Sequence, residues 1–293
     1  CSSVLQLLFN AADIVVVGRW AGDNSLAAVG STGSISFLVI GFCMGICNGF
    51  AIPVAQRIGA GEPSKMRRYV ANAAYLGAGI AVVLTAATGL LCRTILTAMQ
   101  TPEEIFADAY SYIFVIFMGI PASILYNLLA AIMRSLGDSK TPVYFLALAS
   151  ILNIGLDFAF ILLFRAGVAG AAIATVSAQL ISTVGCFIYA FAHYPDIRPL
   201  RSDWRRITWW DIRRHVTQGI PLGLQFSVLA VGIIVMQSVV VQFDMLEGVM
   251  VSSAAQNGFG AANKLSNLVA TPMNGLGAAM TSFTAQNLGA GKP

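Results

Sequence analysis

Charge is what this chain has least of. Only 10% of its residues are Asp, Glu, Lys or Arg, while 57% are hydrophobic. A soluble domain carries about a quarter charged residues, so this chain cannot cover itself for water. Strand-like alternation of apolar and polar residues is also missing, which excludes an outer-membrane barrel. Histidine is nearly absent; the two present, His193 and His215, fall in a polar stretch where an interfacial position is expected. The five cysteines, Cys1, Cys43, Cys47, Cys92 and Cys186, lie in or beside apolar runs. Cys43 and Cys47 are one helical turn apart but lack the His or carboxylate neighbours that a zinc site requires. Thiols packed as small apolar side chains are expected instead. A phosphate loop is lacking too, because Gly289-Ala290-Gly291-Lys292-Pro293 has neither the earlier Gly nor the following Ser or Thr.

What the chain does have is a succession of apolar runs that reach the roughly 20 residues needed to cross a bilayer as helix. An all-α polytopic membrane protein is predicted, with about eight helices. The first is the run to Trp20. The second spans Leu26 to Gln56, the third Tyr69 to Leu91, the fourth Ala109 to Met133, the fifth Pro142 to Phe164 and the sixth Val168 to Ala192. After a polar connection come the seventh, Val216 to Phe243, and the eighth, Ser252 to Gln286. Basic residues collect after the even-numbered helices: Arg57, Lys65, Arg67 and Arg68, then Arg134 and Lys140, then six arginines from Arg198 to Arg214, then Lys292. The positive-inside bias therefore places those ends, and the protein's N-terminus, in the cytoplasm of a multi-pass cell (inner) membrane protein.

The chain also repeats itself. Ala55-Gln56-Arg57-Ile58-Gly59-Ala60-Gly61-Glu62-Pro63 returns as Ala285-Gln286-Asn287-Leu288-Gly289-Ala290-Gly291-Lys292-Pro293, and Gly30, Ser36, Leu38, Val39 and Gly45 are matched at the same offset by Gly260, Ser266, Leu268, Val269 and Gly275. Two homologous halves around a shared pathway are the plan of a transporter. With an even number of helices per half, the pseudo-two-fold axis lies along the membrane normal. Residues 1–193 make the first lobe, 194–215 a cytoplasmic amphipathic connection, and 216–293 the start of a second lobe. The chain opens at Cys1 inside an apolar run and stops just after the second motif, so a fragment is expected, lacking on the order of 140 residues of the second half. In the connection, Trp204, Trp209 and Trp210 interleave with Arg205, Arg206, Arg213 and Arg214. That pattern suits an interfacial helix, with indoles at headgroup depth and arginines on anionic lipid, and not a nucleic-acid surface.

Acids within the apolar runs are the informative positions. Asp13 lies inside the first and Asp157 inside the fifth. A carboxylate in hydrocarbon costs about 2.5–3.5 kcal/mol on insertion scales, so it is kept mainly where it faces a cavity, a partner or an ion. Asn153 and Asp157 are four apart and share a helical face. Asn10, Tyr112, Asn127, Gln179 and Gln225 are further candidates for a cavity lining, and Thr175 lies one turn into the sixth helix. Small residues at Gly41, Gly45, Gly49, Gly275 and Ala279 suit close helix approach. Pro53 and Pro272 are candidates for helix bending. Two intramembrane aspartates also raise an aspartyl protease pair, but neither residue has the Tyr-Asp or Gly-x-Gly-Asp setting such enzymes show, so no enzyme and no catalytic residue is expected.

In order and spacing these segments resemble the MATE family, the multidrug and toxic compound extrusion transporters. The resemblance is carried by Asp13-(four residues)-Gly18-Arg19, by Leu26-Ala27-Ala28-Val29-Gly30, by Gln56-(two residues)-Gly59-Ala60-Gly61, by Arg134-Ser135-Leu136-Gly137-Asp138-Ser139-Lys140-Thr141-Pro142, and by Asn153-(three residues)-Asp157 followed by Gly167-Val168-Ala169-Gly170-Ala171-Ala172. It implies two six-helix lobes and export of organic, often cationic compounds in exchange for H+ or Na+. It also implies a cation site in the first lobe at Asp13, Asn153, Asp157 and Thr175. One branch of the family places key acids on the seventh helix instead. Here Gly219 to Phe243 contains no acid, only the amides of Gln225, Gln237 and Gln242, which favours the branch with the site in the first lobe. The alternative is a flippase of the same superfamily moving a lipid-linked precursor, although arginines within the predicted helices are scarce. Small organic substrates and the bilayer are the expected partners of a monomer. No cofactor is expected, and no metal other than Na+ as coupling ion.

Overall fold

The computed structural model describes residues 18–19, 23–99, 101–243, 245–246, 249–250 and 254–292. Nine α-helices of four residues or more are described, beginning with α1 (Asp23–Gly59), α2 (Pro63–Ala98), α3 (Glu103–Met118) and α4 (Ile120–Ser135). They continue with α5 (Lys140–Asp157), α6 (Gly167–His193), the short α7 (Arg201–Arg205), α8 (Trp209–Gln242) and α9 (Ala254–Gly289). A π turn at Phe158–Leu163 extends α5, and one small ladder pairs Met245–Leu246 with Val249–Met250. The chain is an all-α polytopic membrane protein. Among the described residues, α1, α2, α5 with its π turn, α6 and α8 are each long and apolar enough to cross a bilayer, and α3 and α4 reach that length and apolarity only together, as a bent pair. The first predicted helix lies almost wholly outside the described residues. The eighth is present as α9, but Asn257, Lys264, Asn267 and Asn274 dilute its apolar character, and it is not among the spans that qualify.

Two departures from the predicted helices shape the middle of the bundle. The fourth does not run straight from Ala109 to Met133; it starts at Glu103 and bends by 43° at Gly119. Pro121 accounts for the break, because its ring removes a helical N–H and clashes with the preceding turn. The bend nests against α6, where a Cβ at position 119 would lie 2.5 Å from Val176 Cγ2. The fifth helix changes winding directly after Asp157, where the π turn begins. Pro53 and Pro272, by contrast, sit inside helices that continue unbroken past them.

Helix α1 is the central element. It packs against α3, α4, α8 and α9, burying Cys43, Ile46, Cys47, Phe50 and Val54. Between membrane helices this association rests on close packing, since lipid is as apolar as the side chains. Small residues supply it. A Cβ at Gly45 would lie 2.7 Å from Gly223 Cα, and one at Gly49 would fall on Gly219. Pairs of glycines four apart on α1 thus face pairs four apart on α8. Gly41 contributes less, with Phe226 at an ordinary 3.6 Å, and Gly275 has nothing within 4 Å.

The repeated motif folds twice in the same way. Ala60 N–H donates to Gln56 O at 3.0 Å, Gly61 N–H to Ile58 O at 3.1 Å and Glu62 N–H to Arg57 O at 3.2 Å. Ala290, Gly291 and Lys292 repeat these bonds to Gln286, Leu288 and Asn287 at 2.9, 3.2 and 2.9 Å. Gly61 and Gly291 take φ of +66° and +68°, the left-handed cap that closes a helix and that glycine adopts without penalty. The two ends also cross. A Cβ at Gly59 would lie 2.6 Å from the Gln286 carbonyl carbon, and one at Gly289 would lie 2.7 Å from that of Gln56. The contact is reciprocal, as a two-fold relation between the repeats requires.

Candidate functional site

The amphipathic pattern of α5 puts Asn153 and Asp157 on its inner face, and both are fully buried. Thr175 meets them from α6, where its hydroxyl lies 3.0 Å from its own-helix acceptor Ala171 O. The amide of Asn153 stands between the carboxylate and the threonine, and beside an ionised carboxylate only one of its two orientations satisfies both its ends. In one orientation its N–H donates to Asp157 Oδ2 at 3.1 Å, while its oxygen accepts from Thr175 N–H at 3.2 Å and Thr175 O–H at 3.1 Å. In the other its N–H donates to Thr175 Oγ1 at 3.1 Å and its oxygen turns toward the carboxylate. Two bare acceptors cannot face each other at that distance, so the first orientation is the one that fits an ionised Asp157.

Two small clusters of buried side chains lie on the elements that carry this group. Ile161 of the π turn packs with Ala171 of α6 and Val29 of α1. Tyr112 of α3 packs with Val168 and Ala172 of α6 and the same Val29. The polar cluster therefore sits where α1, α3, α5 and α6 meet, in surroundings that make an uncompensated charge expensive. The Gly119 bend against Val176 sets the height of α6 beside Thr175, and the π turn redirects the chain immediately after the carboxylate. Neither was predicted. Gly119-Ile120-Pro121 was a legible breaker signal; the run Phe158-Ala159-Phe160-Ile161-Leu162-Leu163 carries no comparable mark of a change in winding.

The remaining candidates are spread out. Asp13 and Asn10 lie outside the described residues. Gln179 follows Thr175 by one turn on α6, and its backbone oxygen accepts from Thr183. Asn127 donates to Ser123 O of its own helix at 2.8 Å. Gln225 is exposed on α8 and is not brought to the cluster. Among the described residues no group of three or more His, Cys, Asp or Glu side chains could hold a metal ion. Cys43, Cys47, Cys92 and Cys186 are buried free thiols.

A second polar group occupies the basic end of the molecule. His215, expected at the interface, is instead fully buried, packed against the rings of Tyr69 and Phe50. Its Nδ1 lies 2.8 Å from Asn72 Nδ2 and 2.9 Å from Asp211 O. Asp211 accepts from Arg68 at 3.2 Å and from Thr208 N–H at 3.0 Å. His215 was misread because the helix it belongs to begins at Trp209, so the ring faces α1 and α2 and not the polar connection. In the adjoining loop, Asp138 accepts from the backbone N–H groups of Lys140 and Thr141 and from Tyr194 O–H at 2.8 Å. Partial burial pushes its pKa up, but these hydrogen bonds outweigh that and hold it below the ordinary value. Burial and the neighbouring Asp138 push the Tyr194 phenol up to about 12.

Comparison with known proteins bears on the family and the fold. The family model described as MatE matches residues 1–159. Two proteins of Bacillus subtilis, the probable multidrug resistance proteins YpnP and YoeA, are 31% and 30% identical to the chain over 99% of its length. The chain spans 62% of the length of each. Among solved structures, the crystal structure titled MATE in the bent conformation superposes with a TM-score of 0.88 at 24% identity, over 99% of this chain and 63% of that one.

Proposed function

Because this chain belongs to the MatE family, we propose that the protein it represents is a secondary antiporter that exports small organic compounds from the cell, driven by a cation taken up at the Asp157 group. The observation that carries this reading is a fully buried carboxylate in the membrane-spanning core, bridged through Asn153 to a hydroxyl on the next helix. The names of the relatives support a drug substrate. With an ionised Asp157, the Asn153 N–H donates to the carboxylate and Thr175 donates to the amide. Uptake of a proton at the carboxylate turns the carboxyl O–H toward the amide oxygen. Asn153 then reverses and donates to Thr175, whose hydroxyl is left to its own backbone at Ala171. One proton thus exchanges every hydrogen bond between α5 and α6 at this level, beside a π turn, a feature found frequently at functional sites. Na+ would draw on the same oxygens, so the ligand set suits either ion. Asp13 is the second carboxylate of the proposed site, and residues 1–193 and 216–293 are the parts of the two lobes that rock about it. The basic end faces the cytoplasm of the cell membrane on this reading, by the positive-inside bias.

The test is efflux from proteoliposomes containing the full-length protein, with pH and Na+ gradients imposed separately. Asp157→Asn should abolish gradient-driven efflux while leaving expression and folding intact. Undiminished efflux by that variant refutes the assignment.

A further inference from the structure

The polar connection between α6 and α8 sorts its charges by direction. Asp203 is buried; its Oδ2 lies 3.4 Å from Arg67 Nε and accepts from Leu200 N–H at 2.8 Å. Asp211 is likewise buried and turned toward Arg68. Trp204 is half-buried, its ring edge-on to Tyr75 of α2 with centroids 4.6 Å apart. The segment is therefore not the single interfacial helix that its composition suggests. It is a 3-10 turn at Pro195–Ile197, the short α7, and a docked corner fixed to α2. What stays outside is basic and aromatic. Arg201, Arg205 and Arg206 are exposed and, with Ser202, line a shallow hollow. Among the described residues none of these three arginines has an ion-pair partner. Asp196 is the one exposed acid between Tyr194 and His215. Trp209 and Trp210 follow Arg206 by three and four residues, with 72% and 65% of their surface open, and Arg213 lies over the Trp210 ring. Both tryptophans open α8, which runs on as a helix long and apolar enough to cross the bilayer.

We propose that this hollow binds the headgroup of an anionic phospholipid from the surrounding bilayer, with Arg201, Arg205 and Arg206 on the phosphate and Trp209 and Trp210 against the glycerol and upper acyl chains. Two of the three acids of the connection, Asp203 and Asp211, are occupied on the protein side. The indoles lie in the first turn of a helix long and apolar enough to cross the bilayer, the depth that amphipathic rings prefer. A bound lipid would brace the corner that joins the two repeats. The site is independent of what the protein transports, and its test does not involve transport.

The experiment uses the full-length protein with every tryptophan except Trp209 and Trp210 replaced by phenylalanine (Trp20 and Trp204 in this chain). It is reconstituted in phosphatidylcholine vesicles doped with dibrominated phosphatidylglycerol or, at equal mole fraction, dibrominated phosphatidylcholine. Fluorescence quenching by the brominated phosphatidylglycerol should reach half its maximum at an about fivefold lower mole fraction, one arginine's worth of attraction to anionic lipid. The preference should vanish in the R201Q/R205Q/R206Q variant, whose sites are exposed and do not hold the fold, and persist in the corresponding triple lysine variant. Replacing chloride by inorganic phosphate at matched ionic strength should leave quenching unchanged. Equal quenching by both lipids, a preference that survives the glutamines or is lost with the lysines, or displacement by inorganic phosphate would each overturn the proposal.

Discussion

A single methyl group at Gly59 probes the contact on which the two repeats meet. The new Cβ would lie 2.6 Å from the Gln286 carbonyl carbon, where carbon atoms normally rest about 3.5–4.0 Å apart. The obstacle is backbone and cannot rotate aside, so α1 and α9 must part by about 1 Å. Overpacking of this kind costs about 1–3 kcal/mol, which lowers the population of the crossed arrangement by about 5–150-fold. Gly289→Ala should do the same, since its Cβ would lie 2.7 Å from the Gln56 carbonyl carbon. Spin labels at Ala60 and Ala290, both exposed, report the separation by pulsed electron–electron resonance in the full-length protein. The short-distance population should fall in either variant. In the double variant it should fall by less than the sum, because the second methyl enters a gap already opened. Gly61→Ala is the control: it strains a left-handed cap at φ +66° and should lower stability by about 1 kcal/mol without parting the helices. An unchanged distance distribution in the Gly59 and Gly289 variants, or strict additivity, would refute the reciprocal crossing.

Three further outcomes are expected. Gly119→Ala should destabilise the protein by about 1–3 kcal/mol in a thermal or denaturant unfolding assay, because its Cβ meets Val176; Val176→Ala, which removes the opposing methyls, should recover most of the loss. Asn153→Leu should cost about 1–3 kcal/mol by leaving Asp157 and Thr175 without the amide that joins them, and efflux in the proteoliposome assay should fall with it. Asp138 has its folded-state pKa held below the unfolded value, so its contribution is present above the unfolded pKa and is lost as pH falls through the folded one. Asp138→Asn should therefore lower stability at neutral pH and flatten the acid limb of an unfolding-against-pH curve; an unchanged acid limb would assign the Tyr194 and Thr141 hydrogen bonds no energetic weight.

Much of this protein was legible one residue at a time. Scarcity of charge forces a membrane solution whatever the tertiary arrangement, and helix lengths follow from the thickness of hydrocarbon. Asn153 and Asp157 could be paired on one face because helical spacing is local, and the duplicated Gly-Ala-Gly endings announced two related units. Other features depended on which surfaces meet, and no local pattern encodes that. Thr175 joins Asn153 only because α5 and α6 pack at one height, which the Gly119 bend against Val176 helps to set. His215 is buried and Trp204 half-buried because α8 and α7 lie on α2, although their neighbours in sequence are polar. Gly59 and Gly61 look alike in the chain. One is needed because another backbone passes over it, and the other because the chain must turn left-handed to stop. Composition and periodicity determined that this chain is helical, membrane-bound and internally duplicated. Only the packing of one helix on another decided which small or polar residues touch, because contact is a property of two surfaces and a sequence displays one at a time.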